Sequence, residues 1–294
     1  MPVFRGNVGN LLQHWVLCEV LEAWQSYAKQ VDFIDAYAMA PLADERYPET
    51  ELASRRRFDW VQARLREERT PYERAWHRLA PRAGRYPNSA ALLTELWHGD
   101  YSLVLCELEA ETARQLRKWA GKVKASPACV SIKVAEGDWR DRFRQEFVTS
   151  GDLVLLSFDP YMISQRVSGG NPANMDPADF ELIAAAVSSL DCPLVMQLST
   201  YSANGGNPQP AVLAATDARL EPAGFERLGV VRADGHMMSV LYGRDLGEGP
   251  RLDGLSGRFT SWLDEVKAGE CGTVWSQRQA VGEEPWPLWR QRSY

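Results

Sequence analysis

Short aliphatic and β-branched runs alternate along this chain with longer amphipathic stretches, the pattern of a parallel sheet covered by helices. The runs predict strands over residues 31–36, 102–107, 129–134, 152–158 and 193–199. The amphipathic stretches that precede them predict helices over 11–30, 89–97, 109–121, 139–149 and 177–190. Several of these helices open with Ser, Glu or Asp-Pro, which favour an N-terminus. Beyond them, residues 225–232 and 236–244 flank an Asp-Gly pair and predict an antiparallel hairpin.

Residues 42–85 exceed what a connection between the first two strands needs, and they read as an inserted helical subdomain. Phe58, Val61 and Leu65 fall at helical spacing, and Thr70-Pro71 opens a second helix. An insertion at this point emerges at the carboxyl edge of the sheet, where open α/β sheets bind ligands. The whole chain, 1–294, therefore reads as one domain with an insertion, and residues 280–294, with Trp286 and Trp289 among prolines and arginines, read as an extended tail.

Composition narrows the class. With 45% apolar and 24% charged residues the chain is an ordinary globular protein. Its apolar runs fall far short of the roughly 20 residues of a membrane span. The N-terminus has no basic region followed by an apolar core, so the expected location is the cytoplasm. Five scattered cysteines without a Cys-x-x-Cys pair argue against a zinc framework or a disulfide scaffold. Cys106 and Cys129 lie inside apolar runs and read as small buried hydrophobes.

The net charge of −6 speaks at first against a nucleic-acid partner, but the distribution changes that reading. From Ser54 to Arg85 there are ten arginines, no lysine and four acidic residues. Arg55, Arg56, Arg57 and Arg64, interleaved with Trp60, Tyr72 and Trp76, suit phosphate forks and base stacking. A solvated helical face is the plainer meaning of the same run.

Five parallel strands closed by an antiparallel hairpin form the sheet plan of the class I, Rossmann-like methyltransferases. At the strand ends, motifs accumulate in a fixed order: Gly6-Asn7 with Leu11-Leu12-Gln13-His14, Asp35-Ala36-Tyr37-Ala38-Met39-Ala40-Pro41, Arg85-Tyr86-Pro87-Asn88-Ser89, Ala135-Glu136-Gly137-Asp138-Trp139, and Asp159-Pro160-Tyr161-Met162. In this order the chain resembles the RlmJ-type bacterial ribosomal RNA adenine methyltransferases, over about residues 4 to 279. Members of that family transfer a methyl group from S-adenosylmethionine to the exocyclic amine of an adenine in large-subunit ribosomal RNA.

The resemblance implies roles for individual residues. His14, Asp35, Tyr37, Ser89, Glu107, Asp138 and Trp139 would line the site of S-adenosylmethionine. In it Glu107 accepts from the ribose hydroxyls and Asp138 from the adenine amine. Asp159 and Pro160 would accept the hydrogens of the target amine, and Tyr161 would supply the aromatic plane for a flipped base. RNA is the expected partner, with DNA second and no membrane. No metal is required. The chain departs from the family pattern at Gln13, where a lysine is usual, and at Tyr37, where a histidine is. Met39 and Pro41 stand where the family has glycines, and Met162 takes the usual aromatic place.

Plainer readings stand beside these. Glu107 and Asp138 suit helix caps, Ser89 suits an N-cap as well as a ligand contact, and His14 suits a satisfied interfacial histidine. Met39 suits simple packing. A second functional class also fits: a methyltransferase fold that has lost catalysis and binds nucleic acid or a protein.

Overall fold

The computed structural model of the chain describes residues 8–44, 64–65, 69–79, 85–144, 151–160, 163, 175–201, 209–233 and 237–267. The elements, in order, are α1 (Val8–Trp24), β1 (Gln30–Asp35), β2 (Leu42–Asp44), α2 (Pro71–Leu79), β3 (Arg85–Pro87), α3 (Ser89–Leu96), β4 (Asp100–Glu107) and α4 (Ala110–Val123). They continue with β5 (Cys129–Glu136), α5 (Trp139–Phe143), β6 (Leu153–Phe158), α6 (Pro177–Val187), β7 (Leu194–Tyr201) and α7 (Gln209–Leu220). The chain then forms β8 (Glu226–Ala233), β9 (Met237–Arg244) and α8 (Leu255–Lys267).

Seven strands form one sheet in the order β5-β4-β1-β6-β7-β9-β8. Neighbours from β5 to β7 run parallel, and β9 enters antiparallel between β7 and β8. This is the α/β sheet plan of the class I methyltransferase fold, with β9 as its reversed strand. The five parallel strands and the hairpin lie within two residues of their predicted bounds.

The helices differ more. Helix α1 stops at Trp24 instead of reaching Gln30, because the chain must turn into β1. The amides of Tyr27 and Ala28 bond the Trp24 carbonyl, at 2.9 and 3.1 Å, and Asp152 Oδ2 accepts from the amides of Lys29 and Gln30. Helix α5 is a single short turn ending at Phe143, and residues 145–149 of the expected helix lie outside the described residues.

Helix α1 has almost no solvent face: residues from Leu11 to Cys18, then Val20, Leu21 and Trp24, are all buried. It packs on β7, β8 and β9 below and against α2, α3 and α8 around it. Trp15 meets Phe259 edge-on at 5.3 Å and stacks on Trp262 at 6.1 Å. Helix α2, from the 42–85 stretch, joins this layer through Tyr72 and Trp76, and its start is held by Thr70, whose Oγ1 accepts the Glu73 amide at 3.2 Å and donates to Glu73 Oε2 at 3.1 Å. The opposite face of the sheet carries a second core from α5, α6 and α7, centred on Phe143, Phe158, Phe180 and Ile183.

Strands β2 and β3 pair antiparallel and bring together the two ends of the 42–85 stretch. Most of the insertion, with Phe58, Trp60 and Val61, lies outside the described residues, as do the tail 280–294 and Gly6-Asn7. Among the described cysteines none forms a disulfide; Cys106 is buried as expected, whereas Cys129 on the edge strand β5 is only half-buried. Among the described residues no helix is long and apolar enough to cross a membrane.

The docking of α8 on α1 sets a stability prediction. Phe259 is fully buried against Trp15, so Phe259→Ala leaves a cavity that α1 cannot fill. A loss of about 3–5 kcal/mol is expected, read from urea denaturation. A loss below 1 kcal/mol would show that α8 is peripheral to the core.

Candidate functional site

Asp35 closes β1 and Glu107 closes β4, while Asp159 follows the last residue of β6. Strand β1 lies between the other two, and Asp35 stands in register with Leu105 and Ser157. Glu107 and Asp159 each follow two residues after those partners, so the pleat points them toward the same side as Asp35. That side is the one covered by α1 and α3.

All three carboxyls are displaced from their ordinary range. Burial pushes Asp35 up to about 7, held back by the Tyr37 amide, 3.1 Å from Oδ1, and by the Ser89 hydroxyl. Burial also pushes Glu107 up to about 7; the Glu109 amide, 2.8 Å from Oε1, opposes this, and the charges of Glu109 and Asp35 reinforce it. Asp159, half-buried, is pushed up to about 7 by desolvation and then by the charge of Asp35. Asp35 is thus the electrostatic link between the other two.

The turn after β1 explains how the chain dispenses with glycine here. The Ala36 amide bonds the Ser157 carbonyl at 3.0 Å and the Ala38 amide bonds the Cys106 carbonyl at 2.9 Å. Asn88 then holds the far side: its Nδ2 donates to the Met39 carbonyl at 2.7 Å and its amide to the Pro41 carbonyl at 3.1 Å. Among the described non-glycine residues only Asp245 has a positive φ, so the segment from Tyr37 to Pro41 is unstrained without glycine. Met39 packs against the α1 core.

Asn88 also caps α3, accepting the Ala91 amide at 2.9 Å. The N-cap reading of Ser89 is therefore corrected: Ser89 is the first helical residue, buried, and its hydroxyl serves Asp35. His14 is buried on α1, and burial pushes its imidazole down to about 3, so it is neutral at physiological pH. Its neighbour Gln13 bonds through its carbonyl to Gln197 Nε2 at 2.8 Å, and Gln197 also reaches Ser239 at 3.0 Å. Sequence reasoning missed Gln197, Ser199 and Ser239, although a polar residue at each inward position of a strand end was a readable signal.

On the other face lies a second group. Tyr37 accepts the indole N–H of Trp139 at 3.1 Å, and Trp139 packs edge-on against Phe143 and Phe158. Asp138 caps α5 through the Arg140 amide at 2.9 Å, so its capping role is present. The Arg140 guanidinium lies 4.8 Å over Trp139 and donates to Asp138 at 3.1 and 3.2 Å. It also forms a two-pronged pair with Asp179 of α6, at 2.6 and 2.7 Å. Burial works against the charge of Arg140, but the hydrogen bonds and charge of Asp179 outweigh it and raise its pKa.

The arginine-rich stretch is engaged wherever it is described. Arg69 bonds Glu73 and Glu265, Arg74 bonds Glu22 of α1, and Arg78 bonds Glu95 of α3. The Arg64 carbonyl accepts from Arg69 at 3.5 Å. Arg55, Arg56 and Arg57 lie outside the described residues, as do Tyr161 and Met162. Pro160 is described and buried.

No family model and no curated protein matches this sequence. Among solved structures, a Legionella pneumophila protein described under the family DUF519 aligns with a TM-score of 0.55 at 13% identity, covering 89% of this chain and 92% of that one. A SAM-dependent methyltransferase from Aquifex aeolicus aligns with a TM-score of 0.39 at 9% identity, covering 81% of this chain and 94% of that one. TYW2 of P. horikoshii, in complex with MeSAdo, aligns with a TM-score of 0.39 at 10% identity, covering 81% and 63%. At 13% identity the likeness to the Legionella protein is one of fold.

The raised carboxyls set a pH prediction for the ligand-free protein. Their unfolded values lie near 4 and their folded values near 7. Between those limits the folded chain holds more protons than the unfolded one, so this contribution destabilises the fold as pH rises and is absent below the lower limit. Asp35→Asn keeps an acceptor for the Tyr37 amide and removes one charge. It is expected to raise Tm above pH 7 and to leave it nearly unchanged at pH 4. Equal shifts at both pH values would show that Asp35 is not the coupled group.

Proposed function

We propose that this protein is an S-adenosylmethionine-dependent methyltransferase acting on the exocyclic amine of an adenine in RNA. The observation that carries the donor is the row of desolvated carboxylates, Asp35, Glu107 and Asp159, on adjacent strand ends of a methyltransferase-type sheet. Such a row is costly in water-poor surroundings unless a ligand brings positive charge and hydrogen-bond donors to it. S-adenosylmethionine carries a sulfonium, an ammonium and two ribose hydroxyls, and it supplies an electrophilic methyl group. Glu107 is suited to the hydroxyls, and the amides at the start of α3, beside Ser89, are suited to a carboxylate.

The acceptor half rests on Asp159 and Pro160. An arylamine nitrogen is a poor nucleophile because its lone pair is delocalised into the ring. A carboxylate and a prolyl carbonyl that accept its hydrogens localise that pair, and a carboxyl with a pKa of about 7 is well matched to holding a proton near neutrality. The assignment to RNA, and to a ribosomal RNA adenine in particular, comes from the motif order shared with the RlmJ-type family. The unstrained turn from Tyr37 to Pro41 removes one argument for a decayed site, since the missing glycines are not needed for its backbone.

Calorimetry with S-adenosylhomocysteine is expected to show micromolar binding that Glu107→Ala weakens by roughly 10-fold or more. Asp159→Ala is expected to abolish transfer of labelled methyl groups to ribosomal RNA while the variant still binds the donor. A wild-type protein that binds RNA but neither donor nor product would instead support a binding protein on a methyltransferase fold.

A further inference from the structure

Resting on the donor reading above, we propose that Arg140, braced by Asp179, is a positioning residue that aims Asp138 at the 6-amino group of the donor's adenine. It would thereby make the site selective for adenine over a 6-oxo purine. A carboxylate offers about four acceptor positions. Asp138 Oδ1 is taken twice, by the Arg140 amide at 2.9 Å and by Arg140 Nη1 at 3.1 Å. Among the described residues Oδ2 receives only the longer contact from Nη1, at 3.2 Å. The remaining acceptor direction of Oδ2 lies on a side chain that is 30% exposed, so one further N–H can reach it.

The orientation of that direction is set from outside the Asp138 loop. Arg140 cannot swing away, because its ring-stacked guanidinium lies 4.8 Å over Trp139 and its Nε and Nη2 grip both oxygens of Asp179. Asp179 is itself immobilised, since it closes the capping box of α6 by accepting the Asp176 amide at 2.9 Å. The side-chain direction at Asp138 is therefore inherited from α6, 39 residues away along the chain. A fixed fork of this kind is a property of arginine, and the compact ammonium of lysine does not reproduce it. A purine with a 6-amine gives Asp138 the donor it is aimed to accept, whereas a 6-oxo purine sets a carbonyl oxygen against the carboxylate. Sites built to hydrogen-bond one group reject the analogue lacking it.

The test compares S-adenosylhomocysteine with S-inosylhomocysteine by calorimetry on the full chain. Wild type is expected to prefer the adenine compound by roughly 10- to 100-fold, the range of one hydrogen bond to a charged group. Arg140→Lys and Asp179→Asn are each expected to erase most of that preference while binding of the inosine compound stays within about 3-fold of wild type. Circular dichroism and Tm show whether each variant is folded; if Arg140→Lys fails to fold, Asp179→Asn, which keeps the shape of the partner, carries the comparison. Folded variants that keep the wild-type preference overturn the role of Arg140 and leave the donor reading intact. A wild type that binds neither compound overturns the donor reading itself, and this proposal with it.

Discussion

A helix buried along almost its whole circumference cannot lie on a surface, and α1 imposes that condition on the rest of the molecule. The sheet covers one side; α3, α2 and α8 cover the others. At the margin of this layer, Arg74 reaches Glu22, Arg258 reaches Glu19, and Arg69 joins Glu73 to Glu265. Glu73 is buried, but the pairs Arg74–Glu22, Arg258–Glu19 and Arg69–Glu265 are exposed and individually weak, so the burial of Trp15, Tyr72, Phe259 and Trp262 supplies most of the attraction. The described part of the arginine-rich insertion therefore reads as a cover for α1. A basic surface for phosphate, if built from this segment, falls to arginines other than Arg69, Arg74 and Arg78.

The strands were legible because a buried parallel strand is a short continuous run of aliphatic residues, and 152–158 or 193–199 contain little else. Helix α8 was not singled out, although Leu255, Phe259, Trp262, Leu263 and Val266 recur at helical spacing. Glycine, serine and threonine within it lower its intrinsic helicity, and its order comes from docking on α1. The end of α1 was misjudged for a related reason. Asp152 captures two amides more than a hundred residues away, and no local pattern records such a bond.

The candidate site divides in the same way. Asp35, Glu107 and Asp159 were visible as acidic residues at strand ends, and the fold brings them to one edge. That Asp35 faces Ser89 while Asn88 does the capping is a matter of one residue in helix phase, finer than sequence pattern resolves. The partnership of Arg140 with Asp179 was invisible, because it joins two helix starts on different crossovers. Tyr37 was expected to line the donor site and is found with its hydroxyl against Trp139, since the turn that follows β1 carries it to the face opposite Asp35.

The small ribbon of β2 and β3 gives the carboxyl edge a particular freedom. Because Leu42 faces Pro87 and Asp44 faces Arg85, the chain departs from the edge and comes back to it at one point. Whatever lies between β2 and the anchored helix α2 has both ends fixed, and doubling such a connection costs only about 0.6 kcal/mol of closure entropy. The ribbon thus works as a splice point. Descendants of this chain can lengthen, shorten or exchange the intervening stretch, and with it whatever it touches, while the carboxylates on β1, β4 and β6 keep their positions.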